Sequence, residues 1–366
     1  MCAVGVDYTW IRVPDLKNST WNKLLSGVTK PAAAHLVGSA PYDNAEEMFR
    51  ASMEHLGDHL KRLPDGEVGE RDTWIRWQNK RIGQSAQMRV SEAENIYVPF
   101  PPYEIVPGVT SADEIEFPNL GYGDAAIESY GVFDALAGEG VIPGDKRFMA
   151  GLPTPLSVAA FYVEPRSRDL FEQAYGRALG QEFQKMLEKI PDHRLSIQWE
   201  VVSEFGLLEG LMENHLGDGM LDQITTRLAR LIDLVPENVE AGVHLCYGDS
   251  GHKHFIEPTD TGHLVDVANG AAEKASRPIA WIHLPVPRER DDAAYFAPLE
   301  NLALGAVTEL YLGLVHDTDG KEGTMRRLKA ASSVISDFGI ATECGLGRRE
   351  RETIPGLLGI HQELCG

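Results

Sequence analysis

Cysteine is nearly absent from this chain: Cys2, Cys246, Cys344 and Cys365 are the four in 366 residues. That is too sparse for a disulfide framework and points to a reducing compartment. Positive charge is also scarce, with 34 Lys and Arg against 55 Asp and Glu and a formal net charge of −21. Such a balance leaves no basic footprint for nucleic acid or for an anionic membrane surface. No apolar run approaches the ~18 residues of a membrane-spanning helix. The stretch from Met1 to Tyr8 has no basic region followed by an apolar run, so a cytoplasmic location is expected. Internal repeats and low-complexity segments are missing too. What is present is an acidic globular composition, 43% hydrophobic and 24% charged, long enough to bury a sizeable core.

Eight short apolar runs read as strands: 33–40, 62–68, 147–152, 194–202, 240–247, 278–286, 309–316 and 338–344. Amphipathic stretches separate them. In 168–190, Leu170, Phe171, Ala174, Leu179, Phe183, Met186 and Leu187 fall on roughly one helical face; 221–234 and 323–338 have similar spacing. Strand–helix alternation of this kind predicts an α/β fold, a (β/α)8 TIM barrel with its active site at the C-terminal strand ends. Residues 1–30 precede the first strand as an N-terminal extension, and 31–366 form a single barrel. A long insertion follows the second strand: residues 79–146, with Pro99, Pro101, Pro102, Pro107 and Pro118, read as helices plus a large active-site loop.

His244-Leu-Cys246 ends one of these strands. Side chains two apart on a strand share a face, so imidazole and thiol look into one space. Cys344 closes another strand-like run. Imidazole and two thiols suit zinc, and three ligands from two distant strand ends leave a position for substrate. The spacing matches neither a zinc finger nor a ribbon. Val37-Gly-Ser39-Ala-Pro41 offers a hydroxyl and backbone N–H groups to a carboxylate, although such a sequence also marks ordinary turns. In Asp65-Gly-Glu67-Val-Gly-Glu-Arg-Asp72, Glu67 lies nearest the strand end and is suited to a substrate ammonium; Glu70 and Asp72 fit a solvated loop. Gly151-Leu-Pro-Thr-Pro-Leu-Ser157 reads as a rigid loop lining a pocket wall. Glu200 interrupts an apolar strand, where a carboxylate is either functional or locked in an ion pair.

Together these segments resemble the cobalamin-independent methionine synthase family, in its zinc-dependent C-terminal catalytic barrel. Val243-His-Leu-Cys-Tyr-Gly248 is similar to the strand carrying that family's zinc histidine and first cysteine, and Glu343-Cys-Gly-Leu-Gly-Arg348 to its Asp-Cys-Gly-Leu segment. Val37-Gly-Ser-Ala-Pro41 resembles its Ile-Gly-Ser-Phe-Pro, and the 65–72 segment its His-Gly-Glu followed by Glu-Arg-Asn-Asp. Ile197-Gln-Trp-Glu200 lies where the family has Ile-Gln-Ile-Asp-Glu-Pro. The match runs in order from about residue 33 to 349. The resemblance implies a zinc-bound thiolate acting as nucleophile toward an alkyl group, with Ser39 at the substrate carboxylate and Glu67 and Glu200 at its ammonium.

The departures matter as much. In Ile279-Ala-Trp-Ile-His283, histidine stands where the family has a glutamate ligand, so His283 is expected as a fourth zinc ligand or as a base beside the metal. The Asp-Glu-Pro signature is absent, and Leu156-Ser-Val-Ala-Ala-Phe161 replaces the tryptophan segment associated with folate, so weak or absent folate-dependent methionine synthesis is expected. His316 and Asp317, after the seventh strand, read either as a catalytic acid/base group or as a polar loop capping the next helix. The expected function is therefore zinc-dependent alkyl or methyl transfer to or from a small-molecule thiol, without nucleic-acid or membrane partners. Two alternatives remain: a lyase or hydrolase in which zinc keeps a water as its fourth ligand, and a non-catalytic zinc-binding interaction protein.

Overall fold

The computed structural model describes residues 30–365. The expected extension, Lys30 apart, and Cys2 lie outside the described residues. Seven parallel strands form one curled sheet: β1 (Arg62–Pro64), β4 (Arg147–Pro153), β5 (Leu195–Val201), β6 (Glu240–Leu245), β7 (Trp281–Pro285), β8 (Glu309–Val315) and β9 (Gly339–Thr342), hydrogen-bonded in that order. β2 (Met88–Val90) and β3 (Tyr103–Ile105) pair separately and antiparallel.

The eighth expected strand, 33–40, is not one. It makes single parallel bridges, Ala34 with Ile340 of β9 and Ser39 with Gly66 just beyond β1, and so touches both edges of the sheet. The physical reason is partner length. β1 has three residues and β9 four, too few to extend a ladder along the segment.

Alternation along the strands fixes what faces the inside of the curl. On β5 the inward set is Ser196, Gln198 and Glu200, while Ile197, Trp199 and Val201 join the large apolar core between sheet and helices. Inside the curl a second, small apolar cluster of Met149, Trp281 and Tyr311 forms a plug. Gly242 makes room for it: a Cβ there would lie 1.9 Å from the Trp281 indole. Any side chain would expel the ring.

The outer layer follows the predicted periodicity. The helix Arg168–Lys189 buries Phe171, Ala174, Tyr175, Ala178, Leu179, Phe183 and Met186, and Met220–Asp233 buries Ile224, Thr225, Leu228, Ala229 and Ile232. The helix expected at 323–338 spans Gly320–Ser332 instead. The 151–157 segment is not a loop. β4 runs to Pro153, then Thr154 caps the helix Pro155–Tyr162 by accepting from Ser157 N–H. Between β1 and β4 the chain adds the β2–β3 pair and the helix Tyr122–Gly138, which packs against Arg168–Lys189. Among the described residues no helix is long and apolar enough to cross a membrane.

Candidate metal centre and active site

The C-terminal ends of the strands open into a cavity of about 220 Å3. Its floor carries His244, Cys246 and Cys344, whose donor atoms all lie within 4.8 Å of one another. β6 delivers His244 and, one residue past its end, Cys246, and the turn after β9 delivers the third. The thiols stand 3.7 Å apart, and Cys344 Sγ is 3.8 Å from His244 Nε2. Two sulfurs on one tetrahedral zinc, each about 2.3 Å from it, would be about 3.8 Å apart, so the spacing of the two thiols fits a divalent metal. The neighbouring Cys344 thiol and burial push the Cys246 thiol well above its ordinary value. A cation is what such a pair needs to exist as thiolates. Gly248 N–H already points at Cys246 Sγ (3.2 Å), and the Arg348 guanidinium, paired with Asp249 at 3.1 Å, reaches Cys344 Sγ at 3.8 Å.

His283 is not among the three donors. It lies directly opposite His244 in the β6–β7 register, with Nδ1 2.7 Å from His244 Nδ1 and Nε2 3.0 Å from the Thr342 carbonyl. Both ring nitrogens are engaged, which leaves none for a metal. The expected fourth ligand is thus replaced by a contact behind the first. Burial holds the His283 imidazole down at about 4, and burial followed by His283 holds His244 well below its ordinary value, so both rings are neutral.

Two carboxylates flank the donors. Glu67 and Glu200 converge above Gly151, where a Cβ would meet Glu200 Oε1 at 3.1 Å and Glu67 Oε1 at 3.2 Å. Glu67 holds an uncommon left-handed conformation, φ 48°, steadied by its N–H donating to Asp65 Oδ1. Arg71, the nearest cation, is committed to Asp65 at 2.7 Å. Burial raises the Glu67 carboxyl to about 7, against the pull of Arg71, and burial followed by the Glu67 charge raises Glu200 well above its usual range. Glu200 accepts a hydrogen bond from Gln198 Nε2 at 2.8 Å. Trp281 N–H and His35 Nε2 meet Gln198 Oε1 at 3.2 and 2.9 Å, and since the indole can only donate, the amide orientation is set. Gln198 and His35 were not singled out in the sequence, although Gln198 shares the inward face with Glu200.

Ser39 lines the cavity, but its hydroxyl accepts from Gly347 N–H at 3.3 Å and packs on the turn after Cys344. Trp74, Tyr97, Phe161 and Phe255 build an apolar wall that composition gave no way to assemble. Tyr97 comes from the insertion between β1 and β4.

His316 and Asp317 are not brought to the metal donors. His316 Nε2 donates to the Val286 carbonyl at 2.8 Å and Nδ1 faces Glu343 at 3.4 Å, in an adjoining cavity; Asp317 is exposed. Burial raises the Glu343 carboxyl, but His316 and Arg349 outweigh it and bring it to about 2. The expected cap is not made either: Asp319, at the start of the helix Gly320–Ser332, makes no side-chain capping hydrogen bond and pairs with Arg327 at 2.8 Å.

The fold and this site define an α/β protein with a curled parallel sheet and a metal-type donor cluster at its C-terminal rim. Its shape is similar to that of the B12-independent methionine synthase from Shewanella sp. W3-18-1 in complex with selenomethionine: TM-score 0.55 and 14% identity over 91% of this chain and 97% of that one. It is also similar to a methyltransferase from Methanosarcina mazei, with TM-score 0.53 and 16% identity over 92% of this chain and 94% of that one. No family model matches the chain, and no curated protein sequence does. At these identities the likeness establishes the fold.

Proposed function

We propose that this chain is a zinc-dependent alkyl transferase, in the simplest case a methyl transferase, acting in the cytoplasm on a small-molecule thiol. The carrying observation is the three-donor group His244, Cys246 and Cys344 opening onto a cavity flanked by two carboxylates that have no ion-pair partner among the described residues. The fold shared with a methionine synthase and a methyltransferase supports the same reading. In this reading the segment 33–40, bridged to both edges of the sheet, is the eighth stave of a (β/α)8 barrel.

Zinc held by these three side chains would supply the Lewis acidity that keeps a substrate thiol ionised near neutral pH. The protein's own groups do the rest. Gly248 N–H and Arg348 offset the negative charge of the cysteines. Glu67 and Glu200 bind the cationic or hydrogen-bond-donating end of the substrate, with Ser39 and its neighbouring backbone near a carboxylate. The aromatic wall excludes water and seats the alkyl donor. Methyl transfer from a methylfolate is expected to be weak or absent, because the tryptophan segment linked to it is replaced and the Asp-Glu-Pro signature is missing.

Metal analysis combined with zinc X-ray absorption, before and after adding small aliphatic and amino-acid thiols, tests this. One zinc per chain and a new sulfur in its shell on thiol addition are expected; a zinc environment indifferent to every thiol would sink the proposal. One observation favours a second reading, a lyase or hydrolase: Glu67, held near 7, is suited to accept a proton at neutral pH. Turnover without any thiol, abolished in Glu67→Gln, would select it.

A further inference from the structure

We propose that His283 is a positioning residue that fixes His244 in the single tautomer able to bind a metal and ties that ligand to the strand end bearing Cys344. This rests on the metal reading of His244, Cys246 and Cys344 and adds a residue to it.

Hydrogen accounting carries the argument. The Thr342 carbonyl, 3.0 Å from His283 Nε2, can only accept, so the His283 proton sits on Nε2. Its Nδ1 is then an acceptor. That atom lies 2.7 Å from His244 Nδ1, a separation that demands one proton between the two nitrogens, and only His244 can provide it. With its proton on Nδ1, His244 has a bare Nε2, and this is the atom that faces Cys344 Sγ at 3.8 Å. If the chain ran the other way, His244 Nε2 would carry a hydrogen into the donor cluster and coordinate nothing. An imidazole ligand whose other nitrogen donates to a fixed acceptor is the usual outer-shell arrangement of metal sites.

Placement strengthens the case. His244 and His283 face each other in register on adjacent strands, so their rings meet without rotamer search. All of His283 is buried, and Thr342 in turn donates its hydroxyl to the Cys344 carbonyl at 2.7 Å. One side chain therefore touches His244 and, through a single residue, the backbone that carries Cys344. The donors come from sequence positions 98 and 100 residues apart, and His283 is the clamp between them.

The test uses the full chain. Nitrogen-15 NMR of the imidazoles in the metal-free protein is expected to show His244 protonated at Nδ1 and His283 at Nε2; the opposite pair of tautomers overturns the proposal. Zinc affinity, measured by competition with a chromophoric chelator, is expected to fall about 10–100-fold in His283→Leu, the usual scale for outer-shell partners. His283→Gln, whose amide oxygen and nitrogen are spaced like the two ring nitrogens, is expected to recover most of that loss. Equal affinity in wild type and His283→Leu overturns the proposal while leaving the metal site intact. Absence of zinc binding by the wild type, or full binding by Cys246→Ser and Cys344→Ser, instead removes the metal reading beneath it. The wild-type NMR assignment decides even where a variant fails to fold.

Discussion

Both ends of the curled sheet bury charge, and they treat it in opposite ways. At the N-terminal end, Arg62, with its side chain 3% exposed, pairs with Glu240 at 2.6 Å and Glu309 at 2.8 Å and lies 4.1 Å over the Trp281 ring. Lys61 adds a second cation to Glu309, Tyr311 O–H donates to it at 2.9 Å, and Ser196 O–H donates to Glu240 at 3.1 Å. Every charge there has its counterpart. At the C-terminal end, Glu67 and Glu200 approach each other and no ion pair reaches either among the described residues, while the cations nearby, Arg71 and Arg348, are spent on Asp65 and Asp249. A compensated buried charge stabilises or is neutral; an uncompensated one costs free energy and is retained where something else completes it. One end is built for the fold, and the other for a ligand.

The comparison can be broken at several points. Cys246→Ser or Cys344→Ser is expected to abolish stoichiometric zinc, a larger effect than any outer-shell change, with the fold retained; metal analysis beside circular dichroism checks both. Arg62→Ala should do the reverse. It removes the buried cation that Glu240 and Glu309 share, leaving them only Arg147 at 3.5 Å and Lys61, so a loss of about 3 kcal/mol in stability is expected, read by denaturant titration, with zinc affinity unchanged. Glu200→Gln should cost ~1.5–3 kcal/mol of substrate binding in calorimetry and leave stability equal or higher, because a buried carboxyl with no cationic partner among the described residues is replaced by an amide of the same shape. Loss of stability in that variant would make the two ends alike.

A subtler difference is expected with pH. The Glu67 carboxyl rises from its ordinary 4.5 to about 7 in the folded chain, chiefly through burial. The folded state therefore holds that proton more tightly than the unfolded one. Its contribution to stability is full below about 4.5 and is lost as pH rises through 7. In metal-free protein, stability should decline across that window, and Glu67→Gln should flatten the decline; parallel slopes would show another group to be responsible. The smallest effect belongs to exposed Asp317, where Asp317→Asn should leave zinc, binding and stability within about 0.5 kcal/mol of wild type.

What the sequence determined by itself was local and periodic. Period-2 alternation put Gln198 with Glu200 and His244 with Cys246 on one face, and the 3.6-residue spacing of Phe171, Ala174, Leu179 and Phe183 gave the helix Arg168–Lys189. Residue chemistry was enough to gather His244, Cys246 and Cys344. Segment 33–40 shows where periodicity stops: its apolar run is strand-like, but a strand also needs partners of matching length, and β1 and β9 are too short. Only the tertiary structure decided how inward side chains meet across the curl. It placed His283 behind His244 instead of beside the thiols, sent His316 to the Val286 carbonyl and Glu343, and left Asp317 in solvent. It also spent Arg71 on Asp65, which left Glu67 without a cation. The reason is physical: a strand's alternation fixes which face a side chain takes, but whether a ligand, a hydrogen bond or an ion pair forms depends on a few ångströms between strands far apart in sequence.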